Sequence, residues 1–126
     1  MTYLIDTHVL IWYVAGNEKL DSRFISTIQD SENTIFLSKI SLWEIAIKAS
    51  LGKLSIGISL PVLVEYLVQK KITTLDFDYA DLQSLIHLPF HHRDPFDRLI
   101  ISQAINKNLT VISDDSKFRL YPVQLL

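Results

Sequence analysis

Four acidic residues of the chain lie beside apolar segments, whereas its other acids stand mostly among polar neighbours. The four are Asp6, Glu44, Asp97 and Asp115. Asp6, for example, directly follows Tyr3-Leu4-Ile5, and Asp115 comes three residues after Ile112, the end of the run Val111-Ile112. Two carboxylates about 4 Å apart repel by roughly 4 kcal/mol at an effective dielectric constant of about 20, so a cluster needs protons or cations. The pattern therefore predicts an acidic site for divalent cations.

Mg²⁺ and Mn²⁺ are the cations that suit such a site, because they prefer oxygen ligands and keep part of their water. A pair of these ions can hold a scissile phosphate while one activates water and the other stabilises the leaving oxygen. The chemistry predicted from the four acids is therefore phosphodiester hydrolysis with one or two ions per site. The absence of cysteine excludes thiolate metal sites and disulfides.

Each acid also has a structural explanation that the sequence leaves open. Ser41-Leu42-Trp43-Glu44 matches a capping box, and Glu44 can also pair with Lys48 one helical turn later. Asp94 is a suitable N-cap for a helix that begins at Pro95. Asp6 and the pair Asp114-Asp115 are also compatible with ordinary turns. Spacing alone does not decide between Asp114 and Asp115.

The elements that position these acids alternate between strands and helices. Strands are predicted at 3–5, 34–37, 72–75 and 110–113, with a short fifth at 123–126. Helices are predicted at about 8–15, 20–29, 40–51, 61–68, 79–87 and 95–107, with Thr7 as the first N-cap. This alternation predicts an α/β fold with a parallel sheet between two helical layers. Ligands bind beyond the carboxyl ends of such strands, where Asp6 and Asp115 stand.

Composition narrows the class of protein. With 126 residues and 48% hydrophobic content, the chain is expected to form one domain over residues 1–126. A net charge of −2 argues against binding nucleic acid by bulk electrostatics. No apolar stretch approaches the roughly 20 residues of a membrane span, and no signal peptide is apparent, so a cytoplasmic location is expected.

Several other residues are assigned less specific roles. An apolar stripe of Ile40, Trp43, Ile47 and Leu51 is predicted for the third helix, and core packing is expected for Trp12 and Trp43. His91-His92 is interpreted as a solvated loop. The cations Lys39, Arg93 and Arg98 are candidates for salt bridges with the acids or for contacts with phosphate. The segment from Leu60 to Val68 is unusually apolar and is a candidate partner surface.

The chain resembles the PIN domain of VapC-type toxins through four motifs in order, which together span essentially its whole length. They are Leu4-Ile5-Asp6-Thr7-His8, Ser41-Leu42-Trp43-Glu44-Ile45-Ala46-Ile47-Lys48, His92-Arg93-Asp94-Pro95-Phe96-Asp97-Arg98-Leu99-Ile100 and Val111-Ile112-Ser113-Asp114-Asp115. The resemblance implies a sheet of four to five parallel strands, Mg²⁺- or Mn²⁺-dependent RNA cleavage, a homodimer, and a VapB-like antitoxin.

By motif position, the resemblance assigns metal ligation and catalysis to four acids, with Asp94 as an added acid. The four are Asp6, Glu44, Asp97 and Asp115. The motifs also supply candidates for contact with substrate, which are Thr7, Ser41, Arg93, Arg98 and Ser113. Two alternatives stay open: a PIN-fold scaffold that binds RNA or protein without cleavage, and a phosphoacceptor receiver domain. The lone Asp6 after the first strand counts against the receiver domain, which needs adjacent acids there.

Overall fold

The central element of the fold is a sheet of four parallel strands in the order β3-β2-β1-β4. The computed structural model describes residues 1–126, and its strands are β1 Thr2–Ile5, β2 Thr34–Ser38, β3 Ile72–Leu75 and β4 Thr110–Ile112. The predicted fifth strand does not form. The strand β4 has three residues, and only its Val111 bridges to Leu125 on that side.

Six α-helices and one short 3₁₀ helix accompany the sheet. They are α1 Thr7–Ala15, α2 Ser22–Gln29, α3 Lys39–Ser50, α4 Leu60–Gln69, α5 Tyr79–His87, α6 Pro95–Lys107 and the 3₁₀ helix Ser116–Leu120. Gly16 ends α1 in the left-handed conformation, with φ of 64°, as its position predicts. The prediction of Thr7 as N-cap is wrong, because Thr7 is the first helical residue and Asp6 occupies the cap position.

The helices cover both faces of the sheet, which confirms the three-layer α/β/α prediction. Alternate strand residues point to opposite faces, so Ile5 packs with α1, α2 and α4, whereas Leu4 packs with α6. Each face has its own cluster of buried apolar side chains. The two clusters enclose the sheet, and the carboxyl ends of the parallel strands form one edge on which side chains can be positioned.

Helix α3 buries a different face from the predicted one. Its buried residues are Ile40, Ser41, Glu44 and Ile45. Trp43 is 58% exposed and Leu51 is 61% exposed, so the expectation that Trp43 packs in the core is wrong. The helix carries apolar residues around most of its circumference, so the spacing of apolar residues does not identify which face is buried. Two polar residues, Ser41 and Glu44, therefore face inwards towards the carboxyl edge of the sheet.

Helix α4 is amphipathic in an unusual way, because its outer face is also apolar. Leu63 and Leu67 are buried, while Val62 and Val68 are exposed by 52% and 70%. The segment is therefore not wholly core, and its outer side presents apolar surface. Across the whole chain, none of the helices combines the length and the apolar character that a membrane crossing requires.

Candidate active site

The acidic residues meet where the strand order changes direction. β1 lies between β2 and β4 in the sheet. The chain runs from β1 to β2 on one side, whereas β4 on the other side is reached from β3, and this reversal opens a crevice between β1 and β4 at their carboxyl ends. Asp6 follows β1 and Ser113 follows β4 at this point. Ser113 Oγ donates a hydrogen bond of 2.9 Å to Asp6 Oδ2. The crevice between the two strands thus has a carboxylate fixed at its base.

One pocket at this edge is lined entirely by polar and charged residues, and we call it the acidic pocket. It is formed by Asp6, Thr7, His8, Glu44, Lys48, Asp94, Asp97, Asp114, Asp115 and Lys117. All four acids that the sequence singled out therefore lie in a single pocket, although they come from four distant segments. Asp94, the added acid, lies there as well. Their roles as metal ligands stay predictions.

Asp6 is the most strongly perturbed acid of the pocket. Its burial raises the pKa to about 7 from an ordinary value of 3.8, against the lowering effect of the Ser113 hydrogen bond. The charges of Asp97, Glu44 and Asp115 raise the pKa further. An ionised Asp6 therefore needs a positive partner that its surroundings in the protein do not provide.

Asp97 lies in the first turn of α6 and is also perturbed. Burial raises its pKa to about 6, and the charge of Asp94 raises it as well. His92 opposes this shift with a hydrogen bond of 3.1 Å between its Nε2 and Asp97 Oδ2. The side chain of His92 is only 9% exposed, so the interpretation of His92 as part of a solvated loop is wrong. Its partners lie in α6 and beyond, which a sequence pattern does not reveal.

Glu44 is buried on α3 and forms an ion pair with Lys48, as its spacing predicts. The Lys48 Nζ to Glu44 Oε2 distance is 2.6 Å, and Glu44 Oε1 is buried without a hydrogen-bond partner. The capping-box alternative is wrong, because Ser38 caps α3 and accepts a hydrogen bond from the Ile40 amide. Glu44 thus has no capping role, and one of its oxygens is left for another ligand.

Asp94 and Asp115 each cap a helix at the mouth of the pocket. Asp94 Oδ1 accepts a hydrogen bond of 3.0 Å from the Asp97 amide, which fulfils the predicted N-cap of α6. Asp115 Oδ1 accepts from the Lys117 amide at 2.9 Å. Asp114 lines the same pocket but is exposed. Among these two adjacent acids, Asp115 is the one whose charge acts on the pKa of Asp6.

The candidates for substrate contact differ in their surroundings. Thr7 and Ser41 are buried and joined by a hydrogen bond of 2.7 Å, in which Thr7 Oγ1 donates. Ser113 donates a hydrogen bond to Asp6, as described above. Arg93 is exposed and lies outside the acidic pocket.

Arg98 does not fit its predicted role at all. It is 4% exposed, and its guanidinium donates to the carbonyl oxygens of Pro89 and Leu88, so the prediction that it contacts phosphate is wrong.

Three residues of the pocket were not singled out from the sequence as site residues. They are His8, Lys48 and Lys117. A signal for two of them was present, because Lys48 follows Glu44 by four residues on a helix and His8 adjoins Asp6-Thr7. Lys117 gives no such signal, since its position depends on the 3₁₀ helix that Asp115 caps. The two lysines place positive charge beside the acids.

The donor set of the pocket is rich in carboxylate oxygens, which are the ligands that Mg²⁺ and Mn²⁺ prefer. No three Asp, Glu or His side chains converge on one metal-sized point in the present side-chain arrangement. Lys48 occupies one oxygen of Glu44, and His92 occupies one oxygen of Asp97. The residues that could hold a cation in the pocket are therefore Asp6, Glu44, Asp97 and Asp115, with Asp94 adjacent.

Comparison with known proteins gives one family and a set of similar folds. The sequence profile of the PIN domain matches residues 3–123. No match was found among curated proteins.

Among solved structures, VapBC2 from Rickettsia felis bound to a DNA fragment from their promoter aligns with a TM-score of 0.75 and 18% identity, covering 100% of this chain and 98% of the other. DNA-bound VapBC from Salmonella typhimurium gives 0.72 and 18%, with 100% and 97% covered. FitAcB from Neisseria gonorrhoeae gives 0.67 and 20%, with 98% and 96% covered.

Proposed function

The chain belongs to the PIN domain family, and from that premise we propose that it is a metal-dependent endoribonuclease. In this proposal it is the VapC-type toxin of a toxin-antitoxin pair, and it hydrolyses RNA phosphodiester bonds with water activated by Mg²⁺ or Mn²⁺. Similar folds occur in VapBC complexes, at identities that support the fold alone. The activity is therefore argued from the acidic pocket.

The observation that carries the proposal is the convergence of carboxylates from distant segments of the chain in one polar pocket, and the raised pKa values of two of them support it. Burial and neighbouring carboxylates raise the pKa of Asp6 to about 7 and that of Asp97 to about 6. At neutral pH such a pocket is unfavourable unless a cation offsets its charge. The unpaired Glu44 Oε1 supports the same conclusion, because a buried carboxylate oxygen without a donor is rare.

Asp6, Glu44 and Asp97 are the residues proposed to hold the cation, and Asp115 and Asp94 supply further oxygens at the mouth. A divalent ion bound there supplies Lewis-acid polarisation of the phosphate and lowers the pKa of a water molecule. Ser113 orients Asp6 through the hydrogen bond to Oδ2. No protein side chain is required as nucleophile.

Binding of the RNA backbone falls to the cations and amides at the mouth of the acidic pocket. Lys48 and Lys117 lie beside the acids and offset part of their charge towards an approaching phosphate. Lys48 is 44% exposed along its side chain, so it can reach solvent while paired with Glu44. The net charge of −2 makes this local positive charge more important than the overall field.

The proposal includes a VapB-like antitoxin, a homodimer and a cytoplasmic location. The exposed apolar side chains of α4, including Val62, Val64 and Val68, supply surface on which a protein partner can bury apolar area. Light scattering of the purified protein tests the homodimer, and a monomeric mass across the accessible concentration range would contradict it. Co-purification with the product of the adjacent reading frame tests the antitoxin.

Cleavage of total cellular RNA by the purified, antitoxin-free protein tests the activity. The reaction is run with Mn²⁺, with chelator, and with the Asp97→Asn variant, and Glu18→Gln serves as a control that removes an exposed acid outside the pocket. Cutting that requires Mn²⁺, fails in Asp97→Asn and persists in Glu18→Gln supports the nuclease. Equal cutting by Asp97→Asn would refute the acidic pocket as its site. Binding of RNA without any cutting would favour the scaffold.

A further inference from the structure

A series of buried and partly buried polar side chains, joined by hydrogen bonds, leads from Arg98 through Tyr121 and His92 to Asp97. The three contacts along it are Arg98 Nη1 to Tyr121 Oη at 3.2 Å, Tyr121 Oη to His92 Nδ1 at 2.7 Å, and His92 Nε2 to Asp97 Oδ2 at 3.1 Å. We propose that His92 is a positioning residue for Asp97, fixed by Tyr121 and Arg98 as the tautomer that donates a hydrogen bond from Nε2. The role assigned to Asp97 rests on the proposed function.

Arg98 determines which atoms donate and which accept along this series of hydrogen bonds. The guanidinium has only donors, and it lies under the ring of Phe90 with Cζ 3.8 Å from the ring centre. It donates to the carbonyl oxygens of Pro89 at 2.7 Å and Leu88 at 3.1 Å, which ties the loop after α5 to α6. The contact from Nη1 to Tyr121 therefore makes the Tyr121 oxygen an acceptor.

Tyr121 can then use its single proton in only one favourable way. Its oxygen also accepts a hydrogen bond of 3.2 Å from the backbone amide of His92, so both of its acceptor positions are used. The remaining proton has a choice between His92 Nδ1 at 2.7 Å and the His92 carbonyl oxygen at 3.5 Å. The shorter contact is the stronger hydrogen bond. His92 Nδ1 is thereby an acceptor, and a neutral ring must carry its proton on Nε2.

The Nε2 proton of His92 consequently points at Asp97 Oδ2. Asp97 Oδ1 makes no hydrogen bond within the protein, so one oxygen is held and the other is left for a ligand in the acidic pocket. A short acidic side chain in the first turn of a helix has alternative rotamers, and the His92 contact selects one of them. Outer partners of this kind orient metal-ligating carboxylates, and their loss costs about 10- to 100-fold in metal affinity.

Three variants separate this role from simple packing. His92→Phe keeps a ring and removes the donor, His92→Gln retains an amide donor that reaches the Nε2 position, and Tyr121→Phe removes the hydroxyl that fixes the tautomer. His87→Phe is the matched control, because His87 is exposed and its ring forms a hydrogen bond only with Gln83 on its own helix. Two readouts are used. Nitrogen NMR of the ring of His92 in metal-free wild-type protein reports the tautomer, and calorimetry reports Mn²⁺ affinity.

We expect the Nε2–H tautomer in the wild type, and Mn²⁺ binding weakened about 10- to 100-fold in His92→Phe but less in His92→Gln. Tyr121→Phe should give mixed tautomers with an intermediate loss of affinity, and His87→Phe should behave as wild type. An Nδ1–H tautomer in the wild type overturns the proposal, as does unchanged Mn²⁺ affinity in His92→Phe or an equal loss in His92→Gln. If His92→Phe fails to fold, His92→Gln and Tyr121→Phe decide.

The design also separates the inference from the function on which it rests. Failure of the wild type to bind Mn²⁺ refutes the proposed function, whereas the ring spectrum still tests whether His92 donates to Asp97. Binding of Mn²⁺ by the wild type with no effect of the His92 and Tyr121 variants refutes the positioning role alone. In cleavage assays the His92 and Tyr121 variants should show a lower kcat with little change in KM, since neither side chain is proposed to bind RNA, and His87→Phe should match the wild type.

Discussion

Replacing Asp6 by Asn should stabilise the metal-free protein at pH 8, although it removes a proposed metal ligand. The variant keeps the shape of the side chain and an oxygen that can accept from Ser113 Oγ, which lies 2.9 Å from Asp6 Oδ2. It removes a charge that burial and three neighbouring acids disfavour. Metal ligands are commonly destabilising in the absence of metal for this reason.

The size of the effect follows from the pKa of Asp6, which is about 7 in the folded state against an ordinary value of 3.8. Between these two values the folded state binds more protons than the unfolded state, so stability falls as the pH rises. Asp6 then lowers the free energy of unfolding by about 4 kcal/mol at pH 8, where it is ionised in the folded state. At pH 5, where it is protonated in the folded state and ionised in the unfolded state, it lowers it by about 1.5 kcal/mol. Loss of a negative charge at the start of α1 offsets about 0.3–1 kcal/mol of the gain.

Urea unfolding in chelator at pH 5 and pH 8 measures this difference. We expect the stabilisation by Asp6→Asn to be larger at pH 8 by about 2–3 kcal/mol, with Glu18→Gln unchanged at both pH values as the control for an exposed acid. Mn²⁺ should stabilise the wild type and have a smaller effect on Asp6→Asn. Equal stability of Asp6→Asn and wild type at pH 8 would refute the view of Asp6 as a buried, uncompensated carboxylate.

Three further substitutions test contacts and backbone conformations that stabilise the fold. Ser113→Ala should lower the free energy of unfolding at pH 8 in chelator by about 1.5–3 kcal/mol, because an ionised Asp6 loses its only hydrogen bond; an unchanged urea midpoint would contradict this. Gly16→Ala should destabilise by about 1 kcal/mol in a thermal melt, since its φ is 64°. Lys107→Met should cost about 1–3 kcal/mol, because the fully buried Asp81 loses its cation, and wild-type stability would argue against a structural ion pair.

The acids of the pocket could be found from sequence because their neighbours are informative. A carboxylate directly after a buried strand, such as Asp6 after β1, has its position fixed by the strand, and the parallel sheet brings strand ends together. Asp97 was similarly marked by the apolar residues that follow it on α6. Ile100 and Ile101 are fully buried in the structure, which confirms that side of the helix as the inner one.

Other features were beyond sequence reasoning for physical reasons. Helix α3 has apolar residues on several sides, so its orientation depends on packing, and Trp43 was assigned to the wrong face. The prediction that His92 lies in a solvated loop is wrong because its partner Tyr121 lies 29 residues away, directly after a 3₁₀ helix. Contacts of this kind depend on how loops close, and neither a helical nor a strand period encodes them.

Five of the six acids of the pocket, all except the exposed Asp114, share one arrangement that bears on how a cation site can be built without metal present. Each is held through one oxygen by a different protein donor: Asp6 by Ser113, Glu44 by Lys48, Asp97 by His92, Asp94 by the Asp97 amide and Asp115 by the Lys117 amide. The second oxygen of each accepts no hydrogen bond from the protein, and that of Glu44 is buried.

A set of anchored carboxylates with free second oxygens is pre-organised, because little side-chain entropy remains to be lost when a ligand binds. Without metal, the repulsion among these carboxylates destabilises the folded protein. The raised pKa values of Asp6 and Asp97 reflect this repulsion together with burial. Removing a hydrogen-bond donor that anchors an acid and removing an acid should therefore have opposite effects on stability. Loss of an anchor such as Ser113 should weaken both stability and Mn²⁺ binding. Loss of an acid that makes no capping hydrogen bond, such as Asp6, should weaken Mn²⁺ binding and raise stability.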